Sequence, residues 1–384
     1  MADISRRDTF KNGAMLAAGA SAGLAGVSTA HAADRAGTNC DFGHTEAFGD
    51  QYFTRMTAII ESVRRTEMDI IDGLTSRMAD AIGRGNEVWL QAAEGHMGRF
   101  ENDEKLPGNP GIIRSMKMHE WNAVEKKKCA ALKKGDILVT NGVNSAIRDA
   151  RERGAHVVGI PVNYVDNEWT PRGFVRPNEN GWLLADVTSE IIQSYVPYTQ
   201  GIVDCPQVPE MKILPSSSNS LYTIFWMLQC GTAEKLKNRA SKTDRSREVI
   251  DMVLSRMGEA FHGQRDLMFD HAATVAKRIG RGAHYHVTTD PLGVQEESNR
   301  VASGPMMTNA FRRIVRFDGV VMGEDRMQRG DVHLFASMEP DPARIVEEAK
   351  KARDMDMFVV TIAPPQSREL ARLSDVFIDN RCPE

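Results

Sequence analysis

Two titratable side chains, Glu94 and His96, flank Gly95 in the stretch "QAAEGHMG", directly after the apolar run "EVWLQ" at 87–91. A carboxylate can accept a proton and an imidazole can deliver one or hold an oxygen, so this spacing suits general acid–base chemistry at the mouth of a sheet. The competing reading is a partly exposed loop whose polar groups satisfy nearby backbone. A second polar cluster follows "GDILVT". There, Asn141, Asn144 and Ser145 can present hydrogen bonds to hydroxyls or to an anion at a helix start, or Asn144 or Ser145 can simply cap that helix. Ser216, Ser217 and Ser218 precede "LYTIFWML" and allow the same two readings, ligand contact or capping and turn formation.

His284 and His286 alternate on one strand face and could form a metal pair. With no third ligand at recognisable spacing they read as core or edge histidines, and neither a metal nor another cofactor is expected. Cys40, Cys129, Cys205, Cys230 and Cys382 are odd in number and include no Cys-x-x-Cys pair, so most read as core residues and no disulfide is demanded. The segment "NYVDNEWTPRGFVRPNENGW" at 163–182 is long for a connection, which favours a lid, binding loop or interface. Trp169, Phe174 and Trp182 within it could stack on a ring.

The elements that must position these residues occur twice. Met56, Ile59, Ile60, Val63, Ile70, Ile71, Leu74, Met78 and Ile82 recur at three- and four-residue spacing, predicting a helical hairpin or long helix with one buried face. Val249, Val253, Met257, Ala260, Met268, Ala272, Val275 and Ile279 repeat the pattern. Each run ends in "IGRG", where Gly85 and Gly282 suit a helix C-cap with positive φ. Strands follow at 87–91 and 283–289, then a Gly-Asp step into further strands, "KKGDILVTNG" and "QRGDVHLFAS". Amphipathic helices lead on to "HVVGIPV" and "MFVVTIAP", and "GIVDCP" and "FIDNRCP" supply a fourth matched landmark through their shared Cys-Pro.

Apolar strands alternating with helices predict parallel sheets covered on both faces. The expected fold class is α/β, two three-layer α/β/α domains at 50–236 and 249–384, with 237–248 as linker within the lysine-rich stretch 233–248. The first half continues past Cys205 and Pro206 into a serine-capped aromatic helix. The second, which stops at Glu384, is expected to lack that terminal helix, either as a fragment or because a partner covers the surface.

The chain of 384 residues carries a formal charge of -4, so no global basic excess favours nucleic acid. Apolar residues at 41% and charged residues at 26% suffice for packed cores. Residues 1–32 resemble a twin-arginine export signal: Arg6 and Arg7, a Gly/Ala-rich middle, and a small-x-small site at Ala30-His31-Ala32, departing from the usual pattern at Thr9. A mature start near Ala33 and a periplasmic or extracytoplasmic location are the expectation. No later apolar run is long enough to span a bilayer.

The order of landmarks resembles the sugar isomerase (SIS) domain. The resemblance rests on the helical lead-in, the glycine loop after the first strand, "GDILVTNGVNSAIRDARERGAHVVGI", the closing "LADV" and "IVD", and "PSSSNS" before a helix. It covers 50–236 well and 245–384 less well. What it implies is a five-stranded parallel sheet in each domain, and a sugar phosphate cradled by hydroxyl-rich loops at the carboxyl ends of the strands. It further implies aldose–ketose isomerisation by proton transfer, with Glu94 as base and His96 as ring opener or substrate-binding group. Gly95, Asn141, Gly142, Asn144, Ser145, Ser216, Ser217 and Ser218 would contact the substrate. The chain departs from the pattern where Asn144 replaces a hydroxyl, where Ala93 stands at a glycine, and where the second half has Ser337, Met338, Glu339, Pro340 and Asp341, whose acids would repel phosphate.

The expected function is therefore an exported isomerase-like protein acting on or binding a carbohydrate or carbohydrate derivative. A non-catalytic sugar-binding or sensor protein is the alternative, and a purely structural dimerisation unit a third. A pseudo-dimer within the chain, and a homodimer of chains, are the expected assemblies.

Overall fold

The computed structural model describes residues 43–91, 109–115, 127, 130–161, 182–197, 200–206, 209, 212–238, 244–290, 315–317, 320–322 and 327–381. Helices α1 (Gly43–Thr66) and α2 (Met68–Gly83) share one hydrogen-bond ladder. Glu67 N–H donates to the Val63 carbonyl and Ile71 N–H to the Glu67 carbonyl, both at 2.9 Å. The periodic stripe therefore forms a long helix rather than a hairpin, and Met56, Ile59, Ile60, Val63, Ile71, Leu74 and Met78 are buried along it. Gly85 has φ +80° and Gly282 φ +95°, the left-handed backbone expected at both helix ends.

The first sheet contains β1 (Val88–Gln91), β2 (Arg114–Ser115), β3 (Ile137–Thr140), β4 (His156–Gly159) and β5 (Glu190–Ile191). Its order is β2-β1-β3-β4-β5, parallel throughout. Every residue of β1 and β3 is buried, the pattern of strands covered on both faces. Helices α3 (Ser145–Glu152) and α4 (Leu184–Val187) pack at β4. On α2, which meets β1, lies α5 (Ser217–Lys237), the aromatic helix. The result is a three-layer α/β/α unit with five strands, as expected.

The second half begins with one helix, α6 (Arg245–Gly280), of 36 residues. Its sheet contains β8 (Tyr285–Asp290), β11 (Val332–Ser337), β12 (Phe358–Ala363) and β13 (Val376–Asp379), all parallel in the order β13-β12-β11-β8. Between β8 and β11 in the chain, β9 (Val315–Phe317) and β10 (Val320–Met322) form a separate antiparallel pair. The second sheet thus has four strands among the described residues, not the expected five. The fifth was implied by the family resemblance, and no described strand pairs with the outer edge of β8. Helices α7 (Ala343–Asp354) and α8 (Arg368–Leu373) pack with Phe335 and Val359 on one face. Val275 of α6 packs with Val332, Phe358 and Val360 on the other.

One landmark needs correcting. Gly201–Val203 forms β6, which pairs antiparallel with β7 (Ile213–Pro215) outside the main sheet, whereas Val376–Asp379 is the parallel strand β13. The counterpart of β13 is β5, as two matched contacts show. Val157 N–H bonds Ser189 Oγ (3.1 Å) where Val359 N–H bonds Asp375 Oδ2 (2.8 Å). A shared Cys-Pro cannot reveal strand direction. Cys205 and Cys230 are half-buried; Cys40, Cys129 and Cys382 lie outside the described residues.

The lysine-rich stretch is divided between two helices, since α5 runs to Lys237 and α6 starts at Arg245. The first turns of α6 lie in the first core, with Ile250 fully buried and Val249, Val253, Leu254 and Met257 packed against it. No helix among the described residues is long and apolar enough to cross a membrane.

Candidate functional site

Parallel strands bring β1, β3, β4 and β5 to one carboxyl edge, where loops can gather around a ligand. Thr140, the last residue of β3, donates from Oγ1 to Gln91 Oε1 at the end of β1 and accepts the Gly142 N–H at 3.0 Å. One hydroxyl therefore holds the loop 140–142 beside the exit of β1, and Asn141 is buried there. Asn144 caps α3, its Oδ1 accepting Ile147 N–H at 3.1 Å, so the capping reading of Asn144 holds. Ser145 is the exposed first residue of the helix. Arg148, one turn on, places its guanidinium 4.3 Å over the Trp182 ring. Trp182 is thus covered on one face by a cation.

The exits of β4 and β5 continue this edge. Ile160 N–H donates to the Thr140 carbonyl at 2.8 Å, and Ser194 Oγ to the Pro161 carbonyl at 2.5 Å. Ser220 Oγ then donates to the Ser194 carbonyl at 2.6 Å, which ties the start of α5 to the edge. The serine cluster is placed here, but with internal partners. Ser216 Oγ donates to the Gln200 carbonyl (3.0 Å) and Ser217 Oγ to Gln200 Oε1 (2.8 Å). Ser216 occupies the N-cap position without a side-chain capping bond, and Ser216 and Ser217 are buried while Ser218 is half-buried. The structure therefore brings Asn141, Gly142, Asn144, Ser145 and Ser216–Ser218 to one edge through a relay of hydrogen bonds. Glu94, Gly95 and His96 lie outside the described residues, as do Trp169 and Phe174.

Sequence reasoning passed over Glu67. Its side chain is fully buried at the break between α1 and α2, and burying a carboxylate costs on the order of several kcal/mol unless it is bonded. Glu67 Oε2 accepts the Gln193 N–H just past β5 at 2.9 Å, and Oε1 accepts Thr66 Oγ1 at 2.9 Å. Tyr195 OH lies 2.6 Å from Thr66 Oγ1, and Tyr195 takes φ +57°, a left-handed value uncommon for a tyrosine. The signal was present in the sequence: Glu67 sits four residues after Val63 and four before Ile71, inside the apolar stripe. Earlier on α1, beside the start of α5, burial pushes the Tyr52 phenol above its usual pKa, against the lowering effect of Asn219.

The corresponding edge of the second half is closed on itself. Ser337 Oγ donates to the Glu339 carbonyl (2.7 Å) and accepts its N–H (3.0 Å), while Asn380 Nδ2 bonds the Ser337 carbonyl. The Asp341 carboxylate accepts the Glu369 and Leu370 N–H groups at 2.9 and 2.8 Å. Those amides open α8, so an internal acid already occupies the place an anion would take.

No protein-family model matches the chain, and no curated protein matches it. Among solved structures, it is similar to a candidate phosphosugar isomerase from Clostridium difficile 630, at 10% identity and a TM-score of 0.47, covering 87% of each chain. It is similar to the C-terminal domain of glucosamine-fructose-6-phosphate aminotransferase from Francisella tularensis at 7% identity and a TM-score of 0.46, covering 84% of this chain and 89% of that one. A candidate sugar binding protein from Salmonella typhimurium LT2 aligns at 14% identity and a TM-score of 0.44, covering 85% of this chain and 92% of that one.

Proposed function

We propose that the chain is an exported sugar isomerase-type protein that holds a carbohydrate or carbohydrate derivative at the carboxyl edge of its first sheet. The observation that carries this reading is the loop Thr140–Ser145. It lies in "GDILVTNGVNSAIRDARERGAHVVGI", one of the segments that carry the family resemblance, is pinned by Thr140 to the end of β1, and opens a helix capped by Asn144. Gln91 ends β1, and Glu94 and His96 follow it in sequence, so the candidate acid–base pair issues from the same edge. If the protein is catalytic, Glu94 moves the proton between neighbouring carbons and His96 opens the ring or holds the substrate oxygen.

The second half supports the fold rather than the chemistry, because Asp341 fills its anion position. Duplication of one plan, with the halves paired around α6 as a pseudo-dimer, is part of the same proposal. It is supported by the matched helix ends and matched strand contacts. A twin-arginine route suits a chain that folds before export, and an extracytoplasmic location favours a neutral or differently charged sugar over a phosphosugar.

Thermal-shift screening against aldoses, ketoses, amino sugars and their phosphates tests the reading. A sugar should raise the melting temperature, Asn141→Ala should remove that rise, and Glu94→Gln should abolish turnover while Glu259→Gln leaves it unchanged. Stabilisation without turnover would establish the non-catalytic alternative; no response to any sugar would overturn both.

A further inference from the structure

At the opposite, amino edge of the second sheet, His284, His286 and Asp331 each bring a potential ligand atom within 4.8 Å of the other two. His284 and His286 point to one face of the β8 strand line, and Asp331 immediately precedes β11, paired beside it. His284 Nδ1 lies 3.6 Å from Asp331 Oδ1, and His286 Nε2 lies 2.9 Å from Asp331 Oδ2. A tetrahedral zinc ion with bonds near 2.0–2.2 Å needs donors roughly 3.3 Å apart, so these contacts bracket the required spacing.

Two further observations point to a ligand. His284 Nδ1, the nitrogen that faces Asp331 Oδ1, is buried yet has no hydrogen-bond partner, and the fully buried His286, which reaches Asp331 through Nε2, keeps a second bare nitrogen at Nδ1, as does the adjacent buried His333. Unpaired buried nitrogens are uncommon and costly. The histidines are also unnecessary for the turn they surround. In the first half, Asp136 Oδ1 accepts Glu87 N–H at 3.0 Å and Oδ2 accepts Lys133 N–H at 2.9 Å. Asp331 does the same with His284 N–H at 2.8 Å and Gln328 N–H at 2.9 Å. In that register Glu87, Trp89 and Leu138 stand where the second half has His284, His286 and His333. The fold requires the aspartate alone.

We infer that His284, His286 and Asp331 form a binding site for one divalent transition metal of the zinc class, clamping β8 to β11. Two imidazoles with one carboxylate favour such an ion over calcium or magnesium, which take oxygen ligands. The His284 side chain is 24% exposed, so the site opens to solvent on that side. Its position on the amino edge keeps it separate from the sugar reading at the carboxyl edge.

Cobalt alone is the probe: full-length protein stripped with a chelator is titrated with Co²⁺ and then with Zn²⁺. The expected result is one equivalent of Co²⁺ with visible ligand-field absorption, displaced by Zn²⁺, and a raised melting temperature with Zn²⁺. His284→Ala, at the more exposed of the two histidines, should weaken binding about 100-fold or more while circular dichroism stays unchanged. His286→Gln should do the same, and if it fails to fold, His284→Ala decides the matter. Absence of stoichiometric uptake, or uptake that survives His284→Ala, would overturn the assignment.

Discussion

The two halves build one joint with different side chains. Around Asp136 stand Glu87, Trp89 and Leu138, with Trp89 Nε1 bonding Glu87 Oε2 at 2.7 Å and Arg114 pairing with Glu87 at 3.0 Å. Around Asp331 stand His284, His286 and His333, three rings each with a bare nitrogen. The first arrangement satisfies itself; the second leaves donors and acceptors over. A similar contrast separates the break between α1 and α2 from the matching point of the unbroken α6. In the register that aligns the two "IGRG" segments, Glu67 falls opposite Gln264. Glu67 accepts the Gln193 N–H, while Gln264 both accepts Asp379 N–H and donates to the Asp379 carbonyl, each at 2.8 Å. Where contacts coincide, the fold demands them. Where the residue changes chemical character while the contact stays, a role beyond packing becomes the question.

The sharpest way to break this comparison is to remove the shared aspartates. Asp136→Ala and Asp331→Ala should each strand two backbone N–H groups, at about 1–3 kcal/mol apiece, giving losses of several kcal/mol in denaturant unfolding. Tolerance of one substitution but not the other would show that the joints are not equivalent. Exchanging the acid and amide at these two matched positions should have a smaller, asymmetric effect. Glu67→Gln keeps an acceptor for Gln193 and should cost about 1 kcal/mol, whereas Gln264→Glu sets a carboxylate against the Asp379 carbonyl and should cost about 1–3 kcal/mol. Equal losses measured by urea titration would remove the distinction.

The smallest effect concerns the amino edge of the first sheet, where Glu190 bonds His156 (3.0 Å) and Arg77 (2.9 Å). Burial works to raise the Glu190 pKa, but the hydrogen bonds from His156 and Arg77 and their charges outweigh it and hold the carboxyl below its usual value. A depressed carboxyl contributes stability that is present above its unfolded pKa and lost as pH falls through the folded one. Wild type should therefore exceed Glu190→Gln in melting temperature near neutrality, and the gap should close in acid. A gap that widens on acidification would refute the sign. The second half has Phe358 at the place of His156, with Arg278 4.8 Å over its ring, and should show no such dependence from that position.

Much of the scaffold was legible because periodicity and caps are local properties. The apolar stripe of α1 and α2, the positive φ at Gly85 and Gly282, and the cap at Asn144 all depend on near neighbours in the chain. Strand direction does not, which is why "GIVDCP" and "FIDNRCP" were matched although β6 turns back on β7. Glu67 was readable only as an acid in an apolar stripe, since its partner Gln193 is far away in sequence. The same limit concealed the third member of the histidine cluster. Asp331 was noticed as part of a Gly-Asp step into a strand, but only parallel pairing sets it against His284 and His286.

Helix α6 bears on how the chain comes to be folded at all. It is roughly 54 Å long at 1.5 Å per residue, and its opening turns complete the first core through Ile250, with Ser246 Oγ bonding the Met227 carbonyl at 2.9 Å. During synthesis, helices α1, α2 and α5 therefore stay uncovered on that side until the start of α6 has cleared the ribosome, well after the last strand of the first sheet. The same helix then offers Gln264 and Val275 as a docking rail for the second sheet. Assembly proceeds as a relay, in which the seal on one unit is also the template for the next.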